Sequence, residues 1–159
     1  MVVSIHWGSN WGHEVSVGQV RFARRLIDGG ADVIHGHSSH HRRPIEVYRG
    51  KLILYGCDDC IDDHEGITGY EDYRDDLHLL NLASIAPGTG ELAALAMVPM
   101  QAENIRLRHA GPADSRWLAA TLGRISSRFG SRIEYRPDGR LILHRPTGGH
   151  PRSARLSGC

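Results

Sequence analysis

Two short apolar runs, each ending on histidine, enclose a helix-like stretch at the start of this chain. Val2-Val3-Ser4-Ile5 leads into His6. Asp32-Val33-Ile34 leads into His35-Gly36-His37, with His40 and His41 close behind. Both runs read as fully buried strands. Residues 6–16 between them form a Gly-rich loop, and Ser16 caps a helix in which Val20, Ala23, Leu26 and Ile27 recur at helical spacing until Gly29-Gly30. Strand, helix and strand within about 35 residues make a βαβ unit, which implies parallel, right-handed pairing. In open α/β sheets ligands bind beyond the carboxyl ends of the parallel strands. His6 and His37 fall there together.

The rest of the chain alternates in type. Ile45–Tyr48 and Leu52–Tyr55 flank Arg49-Gly50-Lys51, a hairpin in which Gly50 supplies the positive φ. Gly56 to Asp76 is acidic and irregular, with a short helix near Tyr70–Tyr73. Leu77–Ile85 and Glu91–Met100 form a long antiparallel pair, and Ile105–His109 adds a short strand. Pro112 opens a helix with Leu118, Leu122, Ile125 and Phe129 on one face, closed by Gly130. Arg132–Tyr135 and Arg140–Leu143 make a last hairpin. From Arg145 onward Pro, Gly, Arg and Ser dominate, which predicts a domain over 1–144 and a disordered tail over 145–159.

Length and charge exclude several classes. At 159 residues the chain is one domain that can bury a core without staples. A net charge of +1 argues against a nucleic-acid partner or a membrane surface built on bulk charge. No run of ~18 apolar residues is present, so no membrane span is expected. The chain opens directly on a strand, which predicts no signal peptide and a cytoplasmic location. Cys57, Cys60 and Cys159 are an odd set, which argues against a disulfide framework. Cys57-Asp58-Asp59-Cys60 lacks the second pair of a zinc knuckle and reads as thiols beside a loop.

Metal chemistry is the sharpest reading of the histidines. Neighbouring strands lie ~4.8 Å apart, so the imidazoles of His6 and His37 can meet at one ion. His40, three residues on, can fold back to the same ion or a second one. Gly36 lets the backbone turn before the ligand, and Ser38 and Ser39 can donate to an anion. The alternative for a histidine at a strand end is a solvated or hydrogen-bonded side chain. His35 is assigned to the other side of the strand end, and His41 to the surroundings or to solvent. Trp7 and Trp11 either wall a cleft from water or cover the end of the sheet. His13 and His64 either line that cleft or sit in plain surface loops. Arg42 and Arg43 either hold an anionic substrate or form a solvated basic turn. Among Asp58, Asp59, Asp62 and Asp63, Asp59 is the candidate oxygen ligand or base.

These segments, taken in order, resemble one family. Ser4-Ile5-His6-Trp7-Gly8, Leu26-Ile27-Asp28, Gly30-Ala31-Asp32-Val33, Gly36-His37-Ser38-Ser39-His40 and the run from Pro44 to Tyr55 look like the CapA proteins of capsule and poly-γ-glutamate synthesis. The resemblance is strong over about residues 1–60. It implies an α/β fold: the C-terminal half of a metallophosphatase-like α/β/β/α sandwich with a mixed sheet. It implies a divalent metal centre with His6, His37 and His40 as ligands, the ion being manganese, zinc, iron or calcium. Trp7, Asn10, His13 and Asp59 are the candidate substrate contacts. The chain departs from the family at Asn10-Trp11, where Glu and an aromatic are common. It departs again at Asp58-Asp59, where Gly-Asn is common, and at Ser39, where Pro is common.

The resemblance also implies an absence. Such centres draw further ligands from Asp-x-His, Gly-Asp and Gly-Asn-His motifs, all of which would lie ahead of residue 1. Two divalent ions need carboxylates that three histidines do not supply. The expectation is therefore part of a metal-dependent hydrolase, inactive alone and tied by family to the capsule or poly-γ-glutamate machinery, whose members often act at the cell envelope. The other expectation is a non-catalytic accessory protein, completed by an N-terminal partner segment or a homodimer. Half a sandwich should also leave apolar sheet surface exposed.

Overall fold

The computed structural model describes residues 1–58, 69–103 and 106–145. Among them the elements run β1 (Val2–His6), α1 (Val17–Asp28), β2 (Val33–His37), β3 (Ile45–Tyr48), β4 (Lys51–Leu54), β5 (Leu77–Ile85), β6 (Leu92–Ala102), β7 (Leu107–His109), α2 (Pro112–Ser126), β8 (Arg132–Tyr135) and β9 (Leu141–His144). Single 3-10 turns cover Glu71–Tyr73 and Ser127–Phe129. The first sheet has the order β1-β2-β4-β3 and is mixed: β1, β2 and β4 are parallel, and β3 is antiparallel to β4. The second is antiparallel, in the order β5-β6-β9-β8, with β7 also paired to β6. The α/β class and the mixed sheet expected from the sequence are both present.

Local chemistry explains the start of α1. The Ser16 hydroxyl accepts from the Gln19 N–H, and the Gln19 side chain accepts from the Ser16 N–H, a reciprocal capping box. Ala23 and Ile27 of the helix then pack with Val15, Ala31, Ile34, Ile53 and Tyr55 on one face of the first sheet. The other face carries Val33, Ile45, Leu52 and Leu54. These meet Leu77, Leu79, Leu95 and Met97 of the second sheet and Leu118, Leu122 and Ile125 of α2. The Ser126 hydroxyl at the end of α2 accepts from the Ile45 N–H of β3, tying helix to sheet edge.

Three details differ from the sequence reading. The β3–β4 turn is Arg49-Gly50 alone, because Tyr48 pairs with Lys51. Both turn residues have positive φ, 51° and 77°, the signature of a two-residue primed turn. Second, β1 is not fully buried. It is an edge strand with alternating exposure, and Val2 is 67% exposed. Third, the apolar surface expected of a half-sandwich is local. The central strands are covered on both faces. Exposure falls on β1 and on the outer face of the second sheet, where Leu80 and Leu82 pair with Val98 and Ala96. The tail beyond Arg145, and Asp59, Cys60, Asp62, Asp63 and His64, lie outside the described residues.

Candidate metal centre

Parallel register builds the site. β1 and β2 align Ser4 with His35 and His6 with His37. Side chains two residues apart on a strand share a face, so all four project to one side of the sheet. The His6 and His37 ring centroids are 5.3 Å apart, with planes at 81°. Two imidazoles on one tetrahedral ion, each with a metal–nitrogen bond of about 2 Å, stand roughly 5 Å apart centre to centre. The pair therefore fits a shared ion. His35 departs from expectation: it shares the face of His37, not the opposite one, because the strand period is two. Its ring lies 5.9 Å from that of His37, and Ser4 Oγ is 3.0 Å from its Nδ1. Burial and the neighbouring His37 lower the pKa of His35. Among the described residues no three His, Cys, Asp or Glu side chains converge as a ready metal cage.

The opposite face of the same strands is structural. Val3, Ile5 and Trp7 pack toward α1. The Trp7 indole donates to the Tyr55 carbonyl at 3.0 Å, stacks on the Tyr55 ring and meets Phe22 edge-on. Trp7 thus covers the end of the sheet. Gly36 is required beneath it, since a Cβ there would stand 2.6 Å from the Tyr55 carbonyl oxygen. The Ser38 hydroxyl donates to the Trp7 carbonyl at 3.0 Å, stitching the loops after β1 and β2 together.

The remaining described candidates, Asn10, His13 and His40, gather elsewhere, around Trp11. Its ring is stacked 4.2 Å from Tyr70 and 5.7 Å from His41, with His40 at 5.6 Å and Tyr73 at 5.4 Å. His13 meets His41 and Tyr73 at 4.9 and 5.1 Å. The His40 N–H donates to the Asn10 carbonyl at 3.3 Å. Asn10, His13 and His40 are therefore grouped by this cluster, whereas His6 and His37 occupy the strand-end face. His41, read from sequence as peripheral, is fully buried. Burial, with the nearby charges of His13 and Arg42, pushes its pKa down to about 3. Burial also lowers the pKa of His13, against the raising effect of its contact with the Arg42 carbonyl.

The strand-and-histidine segment has known counterparts. Residues 1–64 match the family described as bacterial capsule synthesis protein PGA_cap. A probable polyglutamine synthesis accessory protein of Mycobacterium tuberculosis is 54% identical over 140 residues, covering 88% of this chain and 37% of the relative. Over residues 1–64 this chain belongs to the bacterial capsule-synthesis (CapA) family. The PGA biosynthesis protein CapA of Bacillus subtilis is 44% identical over 55 residues, 35% of this chain and 14% of that protein. The capsule biosynthesis protein CapA of Bacillus anthracis is 36% identical over 55 residues, 35% of this chain and 13% of that protein. The chain spans little more than a third of the length of its mycobacterial relatives, 37%.

In this CapA-family chain the basic pair Arg42-Arg43 is neither a solvated turn nor an exposed anion clamp. The two residues are 2% and 3% exposed. Arg42 donates to the carbonyls of Tyr73 and Arg74 at 2.6 and 2.7 Å and lies over the Trp117 ring. Burial lowers its pKa, while the charges of Asp58 and Asp76 oppose that shift. Arg43 donates to the Glu14 carbonyl and lies against Gly8 and Gly56, bracing the loops after β1 and β4. No local pattern marks this burial, since His40-His41 precede the pair; a buried guanidinium needs carbonyls, and distant loops supply them here.

Proposed function

We propose that this CapA-family chain supplies the imidazole part of a divalent-metal centre in a protein of capsule or poly-γ-glutamate synthesis. The observation that carries the reading is the facing pair His6 and His37 at the carboxyl ends of parallel strands. The names of the Bacillus and Mycobacterium relatives support the link to polymer synthesis. His6 and His37 hold the ion; the family pattern also assigns His40, whose ring here lies against Trp11. Nitrogen donors favour zinc, manganese or iron over calcium. A bound ion would polarise a phosphoester or amide-type bond and acidify a water. Trp7 excludes water from the sheet end beside it, and Asn10 and His13 are the described candidates for substrate contact. Imidazoles are neutral ligands, so the carboxylates that balance the ion come from other residues. The chain alone has little or no hydrolase activity.

Equilibrium dialysis against zinc, paired with an assay on bis(p-nitrophenyl) phosphate, tests this. One ion per chain, lost in His37→Ala, with background hydrolysis, is the expected result. Absence of a bound ion overturns the metal reading. Metal-dependent turnover that His37→Ala abolishes overturns the partial-site reading. A second reading, a non-catalytic accessory protein, is favoured by the word accessory in the mycobacterial relative's name. In that reading a partner segment or second copy adds at the free edge of β1. Two ions per chain would exclude it.

A further inference from the structure

We propose that the open edge of β8 is a docking site for an extended acidic peptide, which adds as a further strand to the second sheet. The inference is independent of the metal reading. β8 ends the order β5-β6-β9-β8, so one side of it has no neighbouring strand among the described residues. Just past the β8–β9 ladder, the Arg136 N–H donates to the Arg140 carbonyl at 2.8 Å. Hydrogen-bonded pairs alternate along an antiparallel ladder, so Glu134 and Arg132 bond β9 in turn. Ile133 and Tyr135 then turn their N–H and C=O groups outward. An edge of this kind accepts a further strand through main-chain bonds.

Space for that strand lies beside the edge. A cavity of about 630 Å³ is lined by Gly123, Ser127 and Ser131 and by Arg132, Ile133 and Glu134 of β8. Ser131 is 1% exposed, and its hydroxyl has no partner among the described residues. Ala120, Gly123 and Ser127 recur at helical spacing, so the wall that α2 offers is made of small residues. Ile133 and Tyr135 pack toward the core, which puts Arg132, Glu134 and Arg136 on the other face of the strand.

Charge selects the occupant. Beyond Asp114 the sequence has nine arginines and two acids, Glu134 and Asp138. Both acids are already engaged, Glu134 with His144 and Arg136, Asp138 with Arg140. Arg132 is exposed and pairs with no acid among the described residues. Residues 146–159 carry no acid, so charge does not favour the chain's own C-terminal end as the added strand. Directly opposite residues on neighbouring strands interact, and opposite charges stabilise the pair. The matching peptide therefore alternates. Acids face Arg132 and Arg136, a neutral polar residue faces Glu134, and two apolar residues lie over the small-residue wall of α2.

Nuclear magnetic resonance titration of the full chain with acetyl-Glu-Val-Thr-Val-Glu-amide tests the assignment. Binding should slow amide exchange at Ile133 and Tyr135, the two groups that gain partners. Arg132→Glu is expected to weaken binding at least about tenfold. Arg21→Glu makes the same charge change at an exposed site on α1 and should bind as wild type. Gly123→Leu fills the wall of the cavity, and its Cβ meets Ile133 at an ordinary 3.9 Å. It should also lose binding while melting no lower than wild type. N-methylation of the two valines keeps every charge but removes the main-chain donors that face β8, and should abolish binding. Equal binding of the methylated peptide, or of a γ-linked glutamate oligomer of the same charge, would reduce the site to charge alone and overturn strand addition. Absence of binding by the unmodified peptide, or equal loss in Arg21→Glu and Arg132→Glu, overturns the site itself.

Discussion

His6 and His37 stand opposite one another in register across the β1–β2 ladder, their rings 5.3 Å apart and nearly perpendicular. Neither side chain is buried, so neither contributes much to the core. His6→Ala and His37→Ala should each leave folding stability within about 0.5 kcal/mol of wild type. The same variants should each reduce zinc affinity by more than about tenfold. Urea unfolding and zinc calorimetry on one preparation check both halves, and a stability loss as large as the affinity loss would assign the pair to the fold instead.

Gly36 is pinned between the Trp7 indole and the Tyr55 carbonyl, with 2.6 Å from a would-be Cβ to that oxygen. Gly36→Ala must push β2 from β4 or eject Trp7. The expected cost is about 1–3 kcal/mol, the range for overpacking. A red shift of tryptophan emission should accompany it, and an unshifted spectrum with unchanged unfolding midpoint would contradict the packing described here.

Acidification should weaken the fold before any carboxylate titrates. His41 has an ordinary value of 6.5 in the unfolded chain and about 3 when folded. Its folded pKa is depressed, so the unfolded state binds the proton first, and stability falls as pH drops below 6.5. His13 shifts in the same direction. The loss from His41 between pH 7 and pH 5 should be about 2 kcal/mol. Urea midpoints at the two pH values measure it, and His41→Phe should flatten the dependence.

Arg42, buried at 2% exposure, donates to two loop carbonyls, those of Tyr73 and Arg74. Arg42→Met keeps the stem and removes both bonds, leaving two half-buried acceptors without their donor. A loss of about 2–4 kcal/mol is expected. Arg42→Lys should recover little of it, because one ammonium does not reproduce the planar fork lying over Trp117. Chemical unfolding of the two variants separates lost charge from lost geometry.

The elements were legible wherever periodicity was strong. The Ser16 cap, the Val20-to-Ile27 stripe and the long β5–β6 pair all followed from residue type and spacing, whereas the reciprocal bond from Gln19 came from the structure. The pairing of His6 with His37 followed from the βαβ topology. What stayed hidden was tertiary. The exposure of β1 depends on which strands stand beside it, which a run such as Val2-Val3-Ser4-Ile5 does not encode. The burial of His41, Arg42 and Arg43 depends on Trp11, Tyr70, Tyr73 and Trp117 arriving from distant loops and α2. No sequence period marks that gathering. His35 was misplaced for a simpler reason, since a strand returns to the same face every second residue.

That two-residue period divides the work of β1 between its odd and even positions. Val3, Ile5 and Trp7 grip α1 and Tyr55, while Ser4 and His6 face outward. A slip of one residue would bury a histidine and expose three apolar side chains at once. The packing face therefore acts as a ruler that sets the spacing of the chemical face. The outward residues can be exchanged, one ligand set for another, without any renegotiation of the fold that aims them.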